Sequence, residues 1–193
     1  MNVPLSSMKR IEFLFILATL ALARAAVAQD TNDLKTALGQ FESRTGVVLV
    51  KGISQMGFIP LGTIQISVRC KETTDNTTGQ KVFGLAVGVS DNGQSAEVRV
   101  LVDEDELSAL INAVNDLKQM DSTVTALEGF EGTFSTKAGF RVIAHSDRKE
   151  GTVRFYLQFY DYPRVEVTPT QIGQFYNLLQ QSRTTLVNLK AGK

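Results

Sequence analysis

Residues 167–182 read VTPTQIGQFYNLLQQS. Thr168 can cap a helix, Pro169 fits its first turn because its φ is already helical, and Gln171 sits where a side chain bonds back to the cap. Ile172, Phe175 and Leu179 then follow at the three- and four-residue intervals of a single helical face. The same grammar occurs earlier, in VDEDELSALINAVNDLKQM (102–120). There Asp103 is the cap, Glu106 closes the box, and acids fill the first turn, where the helix dipole favours negative charge. A shift of 65 residues lays Val102 on Val167, Asp103 on Thr168, Glu106 on Gln171, Leu107 on Ile172, Leu110 on Phe175 and Val114 on Leu179. Segments that share caps as well as core positions point to an internal duplication.

Strand-like runs precede each helix. Before the first come GVVLVKG (46–52), QMGFI (55–59), TIQISVRCKE (63–72), KVFGLAVGVS (81–90) and AEVRVLV (96–102), the last two separated by the hairpin signal Asn92-Gly93. Before the second come GTFSTK (132–137), GFRVIAHSD (139–147), GTVRFYLQFYD (151–161) and RVEV (164–167). A shift of 72 residues sets Phe83, Leu85 and Val87 on Phe155, Leu157 and Phe159, so the last hairpin of the second unit is expected to be shorter. Ahead of both units, TNDLKTALGQFES (31–43) places Leu34, Ala37, Leu38 and Phe41 at helical spacing, with Thr31 or Asn32 as cap. The expected fold is α+β: two tandem antiparallel four-stranded sheet-plus-helix units in a pseudo-dimer, after a short N-terminal helix. The expected boundaries are 29–44 for that helix, 45–120 for the first repeat and 121–193 for the second.

The chain opens differently. Lys9 and Arg10 precede the apolar run FLFILATLALA (13–23), and Ala26 and Ala28 supply small residues before Gln29. This is the pattern of a signal peptide over residues 1–28, and its apolar run is short of the roughly 20 residues a bilayer span needs. A secreted or periplasmic location is expected, with no stable membrane span after cleavage. Residues 29–131 hold 8 basic and 15 acidic side chains, whereas residues 132–193 hold 9 and 4. The near-neutral total argues against wholesale nucleic-acid binding, and the basic second half keeps an anionic partner open. Cys70 is the one cysteine. It follows Ile64, Ile66 and Val68 on alternate positions and reads as a small core residue, with an intermolecular bridge as the alternative.

Catalytic chemistry finds no support. One His and one Cys cannot build a closed zinc site, and the acids of 103–106 are explained by capping. His145, Ser146 and Asp147 are consecutive on a strand and alternate faces, so they cannot form a triad. An enzyme is not expected, nor is a metal or cofactor.

The distinctive surface lies in RFYLQFYDYPRVEV (154–167). Alternation sends Phe155, Leu157 and Phe159 to one side and Tyr156, Gln158 and Tyr160 to the other. All four tyrosines of the chain fall in the second repeat. Tyrosine on a sheet can stack on a flat ligand while its hydroxyl stays wet, and an adjacent arginine adds an anion contact. The candidate ligand-binding residues are therefore Arg154, Tyr156, Gln158, Tyr160, Tyr162 and Arg164. The same face could instead be covered by the 31–43 helix or the other sheet, or join two copies in a homo-oligomer. The expected activity is that of an exported, non-enzymatic binding or assembly module for a protein, glycan or envelope component.

Two rounds of four strands and a helix, with a strand running through Thr-Pro into an amphipathic helix in VEVTPTQIGQFYNLLQQS, resemble the PC4/Whirly class of single-stranded nucleic-acid binders. The resemblance is one of topology over most of the chain, and the basic strand motif of Whirly proteins is absent. It implies the pseudo-dimer architecture and, as the alternative function, binding of single-stranded nucleic acid.

Overall fold

The computed structural model describes residues 31–91, 97–147, 151–160 and 162–192. The signal-peptide reading of 1–28, the Asn92-Gly93 hairpin signal and Asp161 lie outside the described residues. The elements are α1 (Ala37–Glu42), β1 (Leu49–Leu61), β2 (Ile64–Asp75), β3 (Lys81–Asp91), β4 (Glu97–Asp103), α2 (Glu104–Gln119), β5 (Gly129–Ser135), β6 (Arg141–Asp147), β7 (Thr152–Gln158), β8 (Val165–Val167) and α3 (Pro169–Lys190). They form two four-stranded antiparallel sheets, β1-β2-β3-β4 and β5-β6-β7-β8, each followed by a helix. The expected α+β class and paired sheet units are present.

Both long helices start as their sequences dictate. The Asp103 N–H donates to Glu106 Oε2 at 3.4 Å, and Thr168 exchanges bonds with Gln171 through its own N–H and Oγ1. Pro169 occupies the first turn of α3. Leu107, Leu110, Ile111, Val114 and Leu117 bury one face of α2, and Ile172, Phe175, Leu179 and Leu186 bury one face of α3. The helices run antiparallel: Lys190 at the end of α3 meets Glu104 at the start of α2 at 2.9 Å. At the other end the Lys118 ammonium sits 4.6 Å from the Tyr176 ring centre.

Each helix also lies against the sheet of the other repeat. On β5, a Cβ at Gly132 would sit 3.0 Å from Leu117 and 2.9 Å from Met120 of the α2 end. On β1, a Cβ at Gly57 would sit 2.6 Å from Leu178 of α3, and Gln171 reaches Pro60 O at 2.8 Å. Glycine at these two places lets the exchanged helix approach the first strand of the opposite sheet. One continuous core results, in which Ile66, Val68, Cys70, Leu85 and Val87 face α3 and α2 while Val142, Ala144, Phe155 and Leu157 close the other side. Phe140 centres a ring cluster 5.1 Å from Phe159 and 5.9 Å from Phe175. Cys70 is buried, and its thiol donates to Ser182 O at 3.7 Å.

Three local expectations are corrected. The runs 46–52 and 55–59 are one 13-residue strand, β1, interrupted by a bulge between Gln55 and Gly57. The N-terminal helix is capped by Thr36 rather than Thr31 or Asn32, and Leu34 and Ala37 are exposed while Leu38 and Phe41 are buried. The strand correspondence is displaced by two residues. Val102 pairs with Leu85 and Val167 pairs with Phe155, so Leu85 matches Phe155, and Ala86 matches Tyr156. The displacement is even, so no side chain changes face.

The outer face of the first sheet carries α1. Leu38 packs on Ala86 and Leu101, and a Cβ at Gly84 would sit 3.0 Å from the Leu38 methyl. Asp103 holds the helix start, Oδ2 accepting from Ala37 N at 2.8 Å and Oδ1 from Leu38 N at 3.1 Å. The opposite end is fixed by Glu42, which takes Lys71 at 2.6 Å, Thr73 Oγ1 at 2.8 Å and Lys51 at 3.1 Å. Burial alone would raise the Glu42 carboxyl, but these partners hold it below its ordinary value; burial also pushes the Lys71 ammonium down.

Candidate binding face on the second sheet

Because Phe155 and Leu157 turn to the helices, Arg154, Tyr156 and Gln158 occupy the outer face of β7. Register supplies their neighbours. Arg154 lies beside His145, Tyr156 between Ile143 and Glu166, and Gln158 beside Arg141, with Glu131, Thr133 and Ser135 on the next strand. Arg141, His145 and Arg154 are exposed and Tyr156 is half-buried. Ile143 is only 1% exposed although it points away from the helices.

Arg164 acts across this face. Its guanidinium meets Glu131 at 3.0 Å, yet β8 and β5 are opposite edges of the sheet. The Arg164 side chain therefore reaches from the β8 edge to Glu131 on β5. The Arg164 bond holds the Glu131 carboxyl below its usual range. The Gln158 Oε1 atom is enclosed and has no hydrogen-bond partner among the described residues.

Tyr160 and Tyr162 do not join this group. β7 ends at Gln158, and Tyr160 turns the chain with φ 44°, a left-handed conformation that is costly for a bulky residue. Its hydroxyl donates to Asp33 Oδ1 at 2.6 Å. Burial, reinforced by that bond, pushes the Tyr160 phenol far above its ordinary value, and burial likewise raises the Asp33 carboxyl. Tyr162 is half-buried against the main core. Of the six sequence candidates, the sheet face therefore gathers Arg154, Tyr156 and Gln158, with Arg164 reaching over it from the β8 edge. It adds Arg141 and His145, which were not among the six. Both lie on alternate positions of GFRVIAHSD, but only the β6–β7 register shows that they share a face with Tyr156.

The remaining sequence motifs with possible chemistry are placed as follows by the fold. His145 is exposed and Ser146 buried, on opposite faces of β6. Asp103, Asp105 and Glu106 bring carboxylate oxygens within 4.8 Å of one another. The Lys137 ammonium already sits among them, 3.3 Å from Asp103 and 2.9 Å from Asp105, while its backbone N–H donates to Glu106 at 2.7 Å. No helix of the described residues is long and apolar enough to cross a membrane.

No family model, curated protein or solved structure matches this chain.

Proposed function

We propose that the protein is an exported, non-enzymatic binding or assembly module that holds its partner on the outer face of the second sheet. The observation that carries this reading is the asymmetry of the two sheets. Among the described residues, α1 packs on β2, β3 and β4 of the first sheet, whereas the N-terminal segment meets the second repeat through the Asp33–Tyr160 bond at the end of β7. Tyr156 offers a ring for stacking, Arg141 and Arg154 bring positive charge to the face, and His145 adds a second ring beside Arg154. A protein, glycan or envelope component with flat rings and acidic groups suits that combination. Arginines next to an aromatic ring also favour a second reading, single-stranded nucleic acid.

Nitration of the folded protein should modify Tyr156 ahead of Tyr160. Retention on immobilised envelope polysaccharide and on a thymidine oligonucleotide then separates the readings. Oligonucleotide retention that falls steeply with salt supports the second, because phosphate contacts release counterions. Whichever matrix retains the protein, Tyr156→Ala with Arg154→Ala should weaken retention at least tenfold. Retention unchanged by those substitutions would remove the second-sheet face as the site.

A further inference from the structure

A cavity of about 410 Å³ opens beside α1 on the first sheet. It is lined by Asp33 and Leu34 ahead of the helix, Glu42 at its end, Lys51 of β1, and Arg99 and Leu101 of β4. Small-molecule sites run from roughly 300 to 1,000 Å³, so the space suits a ligand of that size and not a macromolecule. Its wall is held by the chain itself. The Tyr160 hydroxyl donates to the Asp33 carboxylate at 2.6 Å, Thr36 Oγ1 donates to Asp33 O at 2.7 Å, and Gln40 Nε2 donates to Leu34 O at 2.9 Å. Those bonds present Leu34 with 43% of its surface exposed, an apolar side chain in an otherwise charged setting.

The charges around the cavity do not balance. Glu42 is shared by two ammoniums, the buried Lys71 at 2.6 Å and the exposed Lys51 at 3.1 Å. Burial raises the Asp33 carboxyl, and the Tyr160 bond and the Arg99 charge oppose that only in part. Three cations, Lys51, Lys71 and Arg99, therefore meet two carboxylates, an excess of one positive charge. Burial lowers the Lys71 ammonium, and the Arg99 and Lys51 charges add to that lowering against the pull of Glu42. Arg69 and Glu97, next on the outer face, bind each other at 2.7 Å and leave the excess unchanged.

We infer that this cavity is a binding site for a small organic carboxylate, its anionic end on Arg99 and its apolar body along Leu34. A guanidinium fork matches the two oxygens of a carboxylate. Lys51 adds attraction from β1, and one negative charge cancels an excess that a phosphate dianion would overshoot.

Titration of the isotope-labelled protein with hexanoate, followed through its amide NMR signals, tests this. The expected result is saturable shifts at Leu34, Gly39, Arg99 and Leu101, and none at Arg141, His145 or Tyr156 of the second sheet. Hexanamide, which keeps the chain without the charge, should bind about tenfold more weakly, the scale of one lost charged hydrogen bond. Arg99→Gln combined with Lys51→Gln should raise the hexanoate dissociation constant by about the same factor, with unchanged spectral dispersion showing that the variant folds. Inorganic phosphate should compete only weakly. Absence of saturable shifts, equal binding of hexanamide, or shifts confined to the second sheet overturns the inference. Hexanoate binding untouched by the two glutamines, or phosphate binding tighter than hexanoate, overturns it as well.

Discussion

The outer faces of the two sheets occupy corresponding positions and differ in side-chain bulk. On β3 the outward positions are Val82, Gly84, Ala86 and Gly88, low enough for Leu38 of α1 to lie over Ala86 and for Glu97 to fold over Gly88. On β7 the positions matching Gly84, Ala86 and Gly88 are Arg154, Tyr156 and Gln158. A helix placed there as α1 lies on the first sheet would meet these longer side chains. Bulk therefore distinguishes a face that α1 covers from one on which Arg154, Tyr156 and Gln158 stand. The N-terminal segment links the two: Asp33 reaches Tyr160 of the second repeat while Asp103 caps α1 on the first.

The sharpest break of this comparison is at the covered face. Glu42→Ala strands Lys71, whose side chain is 3% exposed, and should destabilise the protein by about 3–5 kcal/mol in chemical denaturation. The pH dependence has a defined sign. The folded Glu42 carboxyl lies below its ordinary 4.5, so its contribution is complete above that value and is lost as pH falls through the folded pKa. Glu42→Gln should accordingly flatten the acid side of the stability profile.

Exchanging the bulk between faces comes next. Ala86→Tyr should cost about 2–3 kcal/mol, or expel α1 and expose residues 31–43 to protease, because Ala86 is buried beneath Leu38. The reverse change, Tyr156→Ala, should cost about 1 kcal/mol, the range of a half-exposed position. Equal costs would mean that both faces are covered alike. Between these lies the tether: Tyr160→Phe deletes the bond to Asp33 and should cost about 1.5 kcal/mol, visible in the same denaturation series.

Local signals made much of the architecture legible. The caps at Asp103 and Thr168 and the stripes behind them fixed both long helices, because capping and periodicity depend on neighbours within a few residues. Strand faces were equally clear, since alternation survives even a two-residue error in aligning the repeats. Register was less accessible: the pairing of Val102 with Leu85 and of Val167 with Phe155 depends on loop lengths that alternation does not encode. The candidate face was half visible for the same reason. Arg154, Tyr156 and Gln158 follow from one strand, whereas Arg141 and His145 require knowing which strand lies alongside. Tyr160 shows the opposite failure, an alternating position that the chain leaves by turning through positive φ to reach Asp33.

The sequence by itself determined the paired sheet-and-helix units, the identity of the core residues and the concentration of tyrosine in the second unit. These depend on hydrophobic periodicity and on hydrogen bonds between near neighbours. Only the tertiary structure decided that each helix crosses to the opposite sheet and that α1 packs on the first sheet. Those outcomes turn on which distant surfaces fit at atomic contact, and shape complementarity is a property of the assembled layers.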